Sequence, residues 1–257
     1  MVNGKVIVVT HKDYDMPEDD IYLPICVGNG RDVLKNKFQA DNVGDNISDK
    51  NHTYCELTAI YWAWKNLNLH ELEYVGVTHY RRHFSMRKHE RKVKNAITGK
   101  EINDLLEEYG KDVVFTTPQR IYFPSIAKHY IVSKKGYEKI HETDIEYLKE
   151  AVRFCDPEYM EDLACVLNGK KAHMLNMFIM NSDKFKEYCE WLFNVVDKVV
   201  ELNGERVDQG RYAGALSEFL LDVWVKHKKL QCVELKLLES EKVGILRKIF
   251  SVIQRMM

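Results

Sequence analysis

Short apolar runs alternate along this chain with the patterns of amphipathic helices, and this alternation constrains the fold more than any other feature. Lys5–Thr10 is a β-branched apolar run of the kind that forms a buried parallel strand. Strands that alternate with helices predict an α/β fold, with a parallel or mixed central sheet flanked by helices. The further predicted strands are 21–27, 74–78, 112–116 and 177–180, and the predicted helices are 54–66, 144–169, 182–200 and 212–226.

The composition excludes several classes of protein. A chain of 257 residues, 45% hydrophobic and 30% charged, is typical of a folded globular domain. Its formal net charge of -1 gives no basic field, so nucleic acid is not an expected partner. The 6 cysteines form no Cys-x-x-Cys pair, which argues against structural zinc. Three of them lie in helical or core-like patterns, where free thiols fit a reducing, cytoplasmic location. We find no secretion signal and no apolar run long enough to span a membrane.

The end of the chain has a different pattern from the rest. We predict one domain over residues 1–230 and a basic amphipathic tail over residues 231–257, ending in a C-terminal amphipathic helix. Such a helix can lie in the headgroup layer of an anionic leaflet, which would place the protein peripherally at the inner face of the cytoplasmic membrane. The alternative is that the tail packs on its own domain or on a second subunit, which leaves a homodimer open.

Polar residues that adjoin the apolar runs are the first candidates for a binding site, because ligands of open α/β sheets bind beyond the carboxyl ends of the strands. The candidates are Thr10, His11 and Lys12 after the first run, His79, Tyr80, Arg81 and Arg82 after the run at 74–78, Thr116 and Thr117 after the next, and His173 and Asn176 ahead of the run at 177–180.

The adjacent arginines Arg81 and Arg82 are the most informative of these residues. Guanidinium groups bind phosphate oxygens bidentately and stay charged at any working pH, so the pair predicts a diphosphate site. The alternative is an exposed basic turn or a surface salt bridge. A metal site built on His79 and His83 is not expected, because no carboxylate motif supports it.

A second polar segment precedes the helix predicted at residue 54. Asp45, Asn46 and Ser48 lie near that helix N-terminus, where free N–H groups and the helix dipole favour sugar hydroxyls or phosphate. Thr53-x-x-Glu56 has the spacing of a capping box, which explains part of this polarity, Glu56 especially.

Carboxylates also lie on either side of the helix start near residue 212. Asp208 and Glu218 could each deprotonate an acceptor hydroxyl, although isolated carboxylates are more often surface residues. Arg211 lies between them in sequence. We assign Arg211, His173 and Asn176 to the acceptor side of the cleft, with a satisfied core histidine as the alternative for His173.

Several segments, in their order along the chain, resemble the bacterial capsular and exopolysaccharide biosynthesis glycosyltransferases formerly described only as a domain of unknown function. The resemblance covers roughly residues 5–226. It implies a GT-A-like (Rossmann-like) fold and an inverting transfer of galactofuranose or galactose from a UDP-sugar to a lipid-linked capsular, exopolysaccharide or O-antigen glycan. The segments that carry it are Val8–Lys12, Asp45–Ser48, Glu56–Asn66, Tyr74–Arg82, His173–Met180 and Gly214–Glu218.

The resemblance also suggests how the leaving group is stabilised. Typical GT-A enzymes carry an Asp-x-Asp motif and a divalent metal beside the donor, whereas this chain has His79–Arg82 at the corresponding strand end. We expect Arg81 and Arg82 to stabilise the departing UDP as preorganised cations. No cofactor is required on this view, and a divalent metal, if it takes part, is not held by an Asp-x-Asp motif. The predicted donor-binding residues are Thr10, His11, Lys12, Asp45, Asn46, Ser48, His79, Tyr80, Arg81 and Arg82, with Asp208 or Glu218 as the base.

Two other functions fit parts of the sequence. A nuclease or phosphatase would use Tyr80 as a nucleophile beside His79 and Arg81, but no carboxylate cluster for a metal pair lies near them. A catalytically silent sugar-nucleotide-binding or scaffold subunit of a glycan assembly complex would keep the pocket without turnover.

Overall fold

The structure is a computed structural model, and it describes residues 3–34, 36–87, 92–108, 110–133, 140–204 and 210–240. The strands are β1 Gly4–Thr10, β2 Tyr22–Cys26, β3 Gln39–Ala40, β4 Tyr74–His79, β5 Arg82–Ser85, β6 Val113–Thr116, β7 Gln119–Arg120, β8 Lys171–Ala172, β9 Phe178–Asn181 and β10 Cys232–Glu239. The helices are α1 Gly30–Leu34, α2 Asn51–Tyr54, α3 Leu57–Asn66, α4 Gly99–Asn103, α5 Ile126–Ser133, α6 Glu142–Cys155, α7 Met160–Leu167, α8 Ser182–Asn203 and α9 Tyr212–His227.

The central sheet is mixed. β1 pairs in parallel with both β2 and β4, while β9 lies antiparallel between β4 and β6. β10 runs parallel to β6 and antiparallel to β5. The predicted mixed α/β sheet with flanking helices is therefore confirmed.

Both faces of the sheet are buried. Ile7 and Val9 of β1 point into the larger apolar cluster, which includes residues of α3, α6, α8 and α9. Val6 and Val8 point into a smaller cluster on the other face, with residues of β2 and α4. Successive side chains of a strand alternate between faces, so a strand covered on both sides is apolar at every position. This is why β1 is recognisable in the sequence as a continuous apolar run.

The helix predicted over residues 54–66 is broken in two. Cys55 has φ +54° and ψ -127°, a backbone conformation that ends α2, and α3 starts at Leu57. Glu56 itself occupies the N-cap position of α3 and makes no side-chain capping hydrogen bond there. The predicted capping box of Thr53 and Glu56 is therefore wrong, because the positive φ at Cys55 turns the chain between them.

The region predicted as helix over residues 144–169 is also divided. α6 ends at Cys155 and α7 starts at Met160, with a short 3-10 turn at Pro157–Tyr159 between them. Proline lacks the N–H that a continuing helix needs, so Pro157 starts a new turn instead.

Residues 232–239 belong to the central sheet. β10 pairs with β5 on one side and with β6 on the other, and Leu238 is only 1% exposed. The boundary predicted at residue 230 therefore does not hold for this strand, because its backbone completes the ladders of two other strands. The predicted amphipathic helix falls on residues 241–257, which lie outside the described residues. None of the described helices is long and apolar enough to cross a membrane.

Candidate functional site

A pocket of about 860 Å³ opens at the carboxyl ends of β1 and β4. Its walls come from the loop after β1, the β2–α1 connection, the α2–α3 junction, the β4–β5 turn and the start of α9. This is the sheet edge at which the sequence predicts a ligand. The predicted residues that line the pocket are His11, Ser48, His79, Tyr80, Arg81, Arg82, Arg211 and Glu218.

Other predicted donor-binding residues lie outside this lining. The Thr10 hydroxyl is buried and donates to the Lys12 carbonyl at 2.5 Å, so it shapes the turn after β1. The Asn46 side chain accepts a hydrogen bond from the backbone N–H of Ser48 at 3.2 Å, and Asp45 accepts one from Tyr61 at 3.3 Å. Thr10, Lys12, Asp45 and Asn46 are thus local turn residues beside the pocket rather than part of its wall.

His173 does not line the pocket. Its Nδ1 lies 2.5 Å from Oδ1 of Asp222, and its ring stacks on Phe115 with 4.3 Å between centroids. These contacts match the alternative of a core histidine, although only Nδ1 has a hydrogen-bond partner, since Nε2 lies 3.6 Å from Glu234. Asn176 is also outside the lining but lies against it, since its amide contacts Glu56. Asp208 lies outside the described residues.

Positive charge is concentrated in the pocket. Burial lowers the pKa of Arg82, and the neighbouring charge of Arg81 lowers it further. Burial likewise lowers the pKa of His11, with additional contributions from cations that include Arg81 and Arg211. Nε of Arg82 lies 3.9 Å from the Glu239 carboxylate at the end of β10. Neighbouring arginines repel each other, and an anion that binds between them relieves this repulsion. Phosphate oxygens match the geometry of guanidinium groups.

Aromatic rings pack beside these cations in the pocket wall. Tyr80 is 7% exposed, and its ring packs edge-on against His11 at 5.0 Å and Tyr14 at 4.7 Å. Both contacts hold the Tyr80 ring in the pocket wall. Burial lowers the pKa of His79 to about 4, so its imidazole is neutral near pH 7. His79 therefore lines the pocket without adding to its charge.

Three carboxylates line the pocket, Asp49, Glu56 and Glu218, of which Glu56 and Glu218 each accept a hydrogen bond from a neutral side chain. Glu218 accepts a hydrogen bond from the Tyr130 hydroxyl. Burial and the adjacent Glu218 raise the pKa of Tyr130 well above its usual value, so the phenol stays protonated as a donor. Glu56 accepts a hydrogen bond from Asn176 at 2.8 Å. Glu56 and Glu218 are thus each oriented by a neutral donor from behind the pocket wall.

Sequence reasoning missed part of this wall, including Glu56, which it attributed to helix capping. Cys55 also faces the pocket, and Nε of Arg211 donates to its sulfur at 2.9 Å. Arg31 lines the pocket as well, with its Nε 3.6 Å from the buried Asp41. None of these residues follows a strand in sequence, so their proximity gave no local signal.

A glycine allows the start of α9 to approach the α2–α3 junction closely. A Cβ at Gly214 would lie 2.9 Å from both Cβ and Sγ of Cys55. The absence of that atom lets Glu218, one helical turn later, reach the same pocket as Glu56.

The pocket offers cations for an anionic group and carboxylates for hydroxyl groups. Across the part of the chain that the structure describes, no group of 3 or more His, Cys, Asp or Glu side chains is arranged to hold a metal ion.

Comparison with known proteins identifies a family and similar solved structures. The profile of a family described as a domain of unknown function, DUF4422, matches residues 5–229. The apo structure of the bifunctional glycosyltransferase WbbM is similar at a TM-score of 0.78 and 26% identity over 93% of this chain. This chain spans 46% of the length of that one. The mixed α/β fold is therefore similar to that of a glycosyltransferase.

A second solved structure is much less similar. Core-mannan synthase A (CmsA/Ktr4) from Aspergillus fumigatus, in its Mn/GDP form, has a TM-score of 0.39 and 11% identity, with coverage of 85% of this chain and 70% of the other. At that level the similarity indicates nothing about function. No curated protein matches the chain at a significant level.

Proposed function

The chain belongs to the DUF4422 family, and we propose that it is a glycosyltransferase that moves a hexosyl group from a UDP-sugar to a growing glycan. The observation that carries the proposal is one pocket that combines Arg81, Arg82 and Arg211 with the carboxylates Glu56 and Glu218. A sugar nucleotide has a diphosphate that suits the arginines and hydroxyl groups that suit the carboxylates. The similarity to WbbM, whose name describes a bifunctional glycosyltransferase, supports the same class of reaction.

The arginines act on the leaving group in this proposal. The acceptor hydroxyl attacks the anomeric carbon, the bond from that carbon to the diphosphate oxygen breaks, and UDP departs with both electrons of that bond. Arg81 and Arg82 stabilise the negative charge that develops on the diphosphate, because they are already in place when the bond breaks. Cationic side chains thus do the work that a divalent metal does beside an Asp-x-Asp motif.

The proton of the acceptor hydroxyl passes to a carboxylate. Direct attack from the side opposite the leaving group inverts the anomeric centre and needs one general base there. Glu218 is our candidate among the described residues, because it lines the pocket and is oriented by Tyr130. Asp208, outside the described residues, is the other candidate.

We propose galactofuranose or galactose as the sugar, and a lipid-linked capsular, exopolysaccharide or O-antigen glycan as the acceptor. The sugar follows from the family resemblance of the His79–Arg82 and Glu56–Asn66 segments. Access to a lipid-linked acceptor is supported by the basic amphipathic sequence of residues 242–257, which suits an anionic membrane surface.

A binding titration tests the donor assignment. UDP, UDP-galactopyranose and UDP-galactofuranose are titrated into the full chain with and without EDTA, and into Arg81→Ala, Arg82→Ala and the control Arg153→Ala. Arg153 is exposed on α6, outside the pocket lining. We expect chelator-insensitive binding that weakens about tenfold or more in each pocket variant, as loss of a charged hydrogen bond does, and not in the control. Absence of binding to every UDP compound would contradict the donor, and binding that needs manganese would contradict the role of the arginines.

Turnover separates an enzyme from a scaffold subunit. Glu218→Gln and Asp208→Asn are each assayed for UDP binding and for sugar transfer to a membrane extract that contains lipid-linked glycan. We expect one of the two variants to lose turnover while it still binds UDP. A wild-type chain that binds the donor but transfers no sugar to any acceptor offered would instead match a scaffold.

A further inference from the structure

Asn176 is a buried amide that holds a pocket carboxylate. It is 1% exposed, and its Nδ2 donates to Oε1 of Glu56 at 2.8 Å and to Oγ of Ser217 at 2.9 Å. The Ser217 hydroxyl donates in turn to the Gly214 carbonyl at 2.7 Å, so its oxygen is free to accept from the amide. This chain of donors fixes which side of the amide faces Glu56, because the opposite orientation would set two oxygens against each other.

The backbone around Asn176 is held in an uncommon conformation. Leu175 has φ +83° and Asn176 has φ +49°, so two successive non-glycine residues lie in the left-handed region. Such residues persist only where surrounding contacts hold them, and they concentrate at ligand-binding positions. Here the Leu175 carbonyl bonds to His79 at 2.6 Å, which ties this turn to the end of β4.

Glu56 is oriented by this turn and not by its own helix. It stands at the N-cap position of α3 without a capping hydrogen bond, directly after the positive φ of Cys55. Its carboxylate lines the pocket and accepts a hydrogen bond from Asn176, a residue 120 positions away.

We propose that Asn176 positions Glu56 as the carboxylate that binds the hydroxyl groups of the donor's sugar and so determines which sugar is accepted. This inference rests on the proposed function. An ionised carboxylate only accepts hydrogen bonds and repels phosphate, so it distinguishes the sugar from the diphosphate, which the arginines bind. Hydroxyl groups that lie against an oriented acceptor are selected strongly, since an analogue without the hydroxyl leaves that acceptor unpaired.

Glu56 and Glu218 have separate roles in this arrangement. Glu218 is oriented by Tyr130 of α5, and Glu56 by Asn176. The two carboxylates therefore accept hydrogen bonds from different donors. Asn176 is a positioning residue, because its amide lies outside the pocket lining and acts through Glu56.

The test compares the affinity for UDP with the affinity for a UDP-sugar. Kd values for UDP, UDP-galactopyranose and UDP-galactofuranose are measured on the full chain, on Glu56→Gln and on Glu146→Gln, an exposed control on α6. The amide oxygen introduced by Glu56→Gln can still accept the hydrogen bond from Asn176, so this variant removes the charge and keeps the packing. We expect UDP to bind at least as tightly as it binds wild type, and the better-bound UDP-sugar to bind about tenfold more weakly, as loss of a hydrogen bond to a charged group does.

A second variant tests the role of Asn176 and covers a failure to fold. In Asn176→Ala the affinity for the UDP-sugar should fall as in Glu56→Gln. The double variant should bind the UDP-sugar no more weakly than the single variant with the lower affinity, because both changes act through one carboxylate. Near-UV circular dichroism checks the fold; if Asn176→Ala is unfolded, Glu56→Gln alone decides.

Equal weakening of UDP and UDP-sugar binding in Glu56→Gln, or no weakening of either, overturns the inference. A wild-type chain that binds UDP-sugars no more tightly than UDP also overturns it, whereas one that binds no UDP compound overturns the proposed function beneath it.

Discussion

The imidazole of His79 donates from Nε2 to the carbonyl oxygen of Leu175 at 2.6 Å. A carbonyl oxygen only accepts, so the bond requires the tautomer with the proton on Nε2. The contact joins the carboxyl end of β4 to the left-handed turn that precedes β9. It therefore couples the arginine-bearing wall of the pocket to the turn that orients Glu56.

Removal of this contact should lower both stability and donor binding. His79→Phe keeps an aromatic ring but leaves the Leu175 carbonyl without its donor, which costs about 1–3 kcal/mol of unfolding free energy. Urea denaturation measures this loss, and titration with a UDP-sugar measures the weaker binding expected once the turn is free to move. His70→Phe, at an exposed position, is the control. If the His79 and His70 variants are equally stable, the contact does not stabilise the fold.

A second buried histidine predicts a pH dependence of stability. His83 is 0% exposed beside the ring of Tyr22 and close to His79, and burial lowers its pKa to about 4 from an ordinary 6.5. Between these values the unfolded chain binds a proton that the folded chain does not, so the unfolding free energy falls as the pH is lowered from 6.5 towards 4. The loss from His83 is at most about 3 kcal/mol.

The measurement is the unfolding free energy at several pH values across that window. His83→Leu should show a shallower slope than wild type, with the remaining slope carried in part by His79, whose pKa burial lowers in the same way. Above pH 6.5 the two proteins should show the same dependence on pH. Parallel curves throughout the window would show that His83 is protonated equally in the folded and unfolded states.

The sheet and the cationic side of the site could be predicted from the sequence because both depend on local patterns. β1 and β4 are covered on both faces, so they appear as continuous apolar runs. The carboxyl end of a strand is then the next position in the sequence, which locates His11, Arg81 and Arg82 at one edge of the sheet.

The opposite wall could not be predicted in this way, because it depends on contacts between distant residues. Glu56 has the spacing of a capping residue in the sequence. In the structure the positive φ at Cys55 breaks the helix before Glu56, and its side chain lines the pocket instead. Its donor, Asn176, is 120 positions away and sits in a turn whose left-handed conformation no residue type there requires. The sequence pattern does not predict β10 for a similar reason, because this strand forms through hydrogen bonds to the distant strands β5 and β6.

β10 leads to a prediction about truncation. A chain that ends at residue 230 loses the strand between β5 and β6 and exposes Phe84 and Val114, so it should be insoluble or unfolded. A chain that ends at residue 240 keeps every ladder of β10 and should melt within a few degrees of the full chain. Circular dichroism melting of the two truncations measures the difference.

The same truncation at residue 240 tests the proposed membrane contact. The full chain should sediment with vesicles that contain anionic lipid, and the chain that ends at 240 should not, because it lacks the basic residues of 242–257. Both should bind UDP alike, since the pocket lies within the part that remains. Equal sedimentation of the two chains would show that the tail does not provide membrane binding.

The contact between Tyr130 and Glu218 tests which carboxylate is the base. Tyr130→Phe removes the hydroxyl that donates to Glu218 and leaves the ring, which packs edge-on against Phe219 at 5.1 Å. Without that donor the ionised carboxylate is less stabilised, so the acid limb of the pH–rate profile should move to higher pH and kcat should fall, while the affinity for UDP is kept. Tyr122→Phe, at a side chain 65% exposed, is the control and should leave the profile unchanged. An unchanged profile in Tyr130→Phe, together with loss of turnover in Asp208→Asn, would assign the proton transfer to Asp208 and leave Glu218 a structural role in the pocket wall.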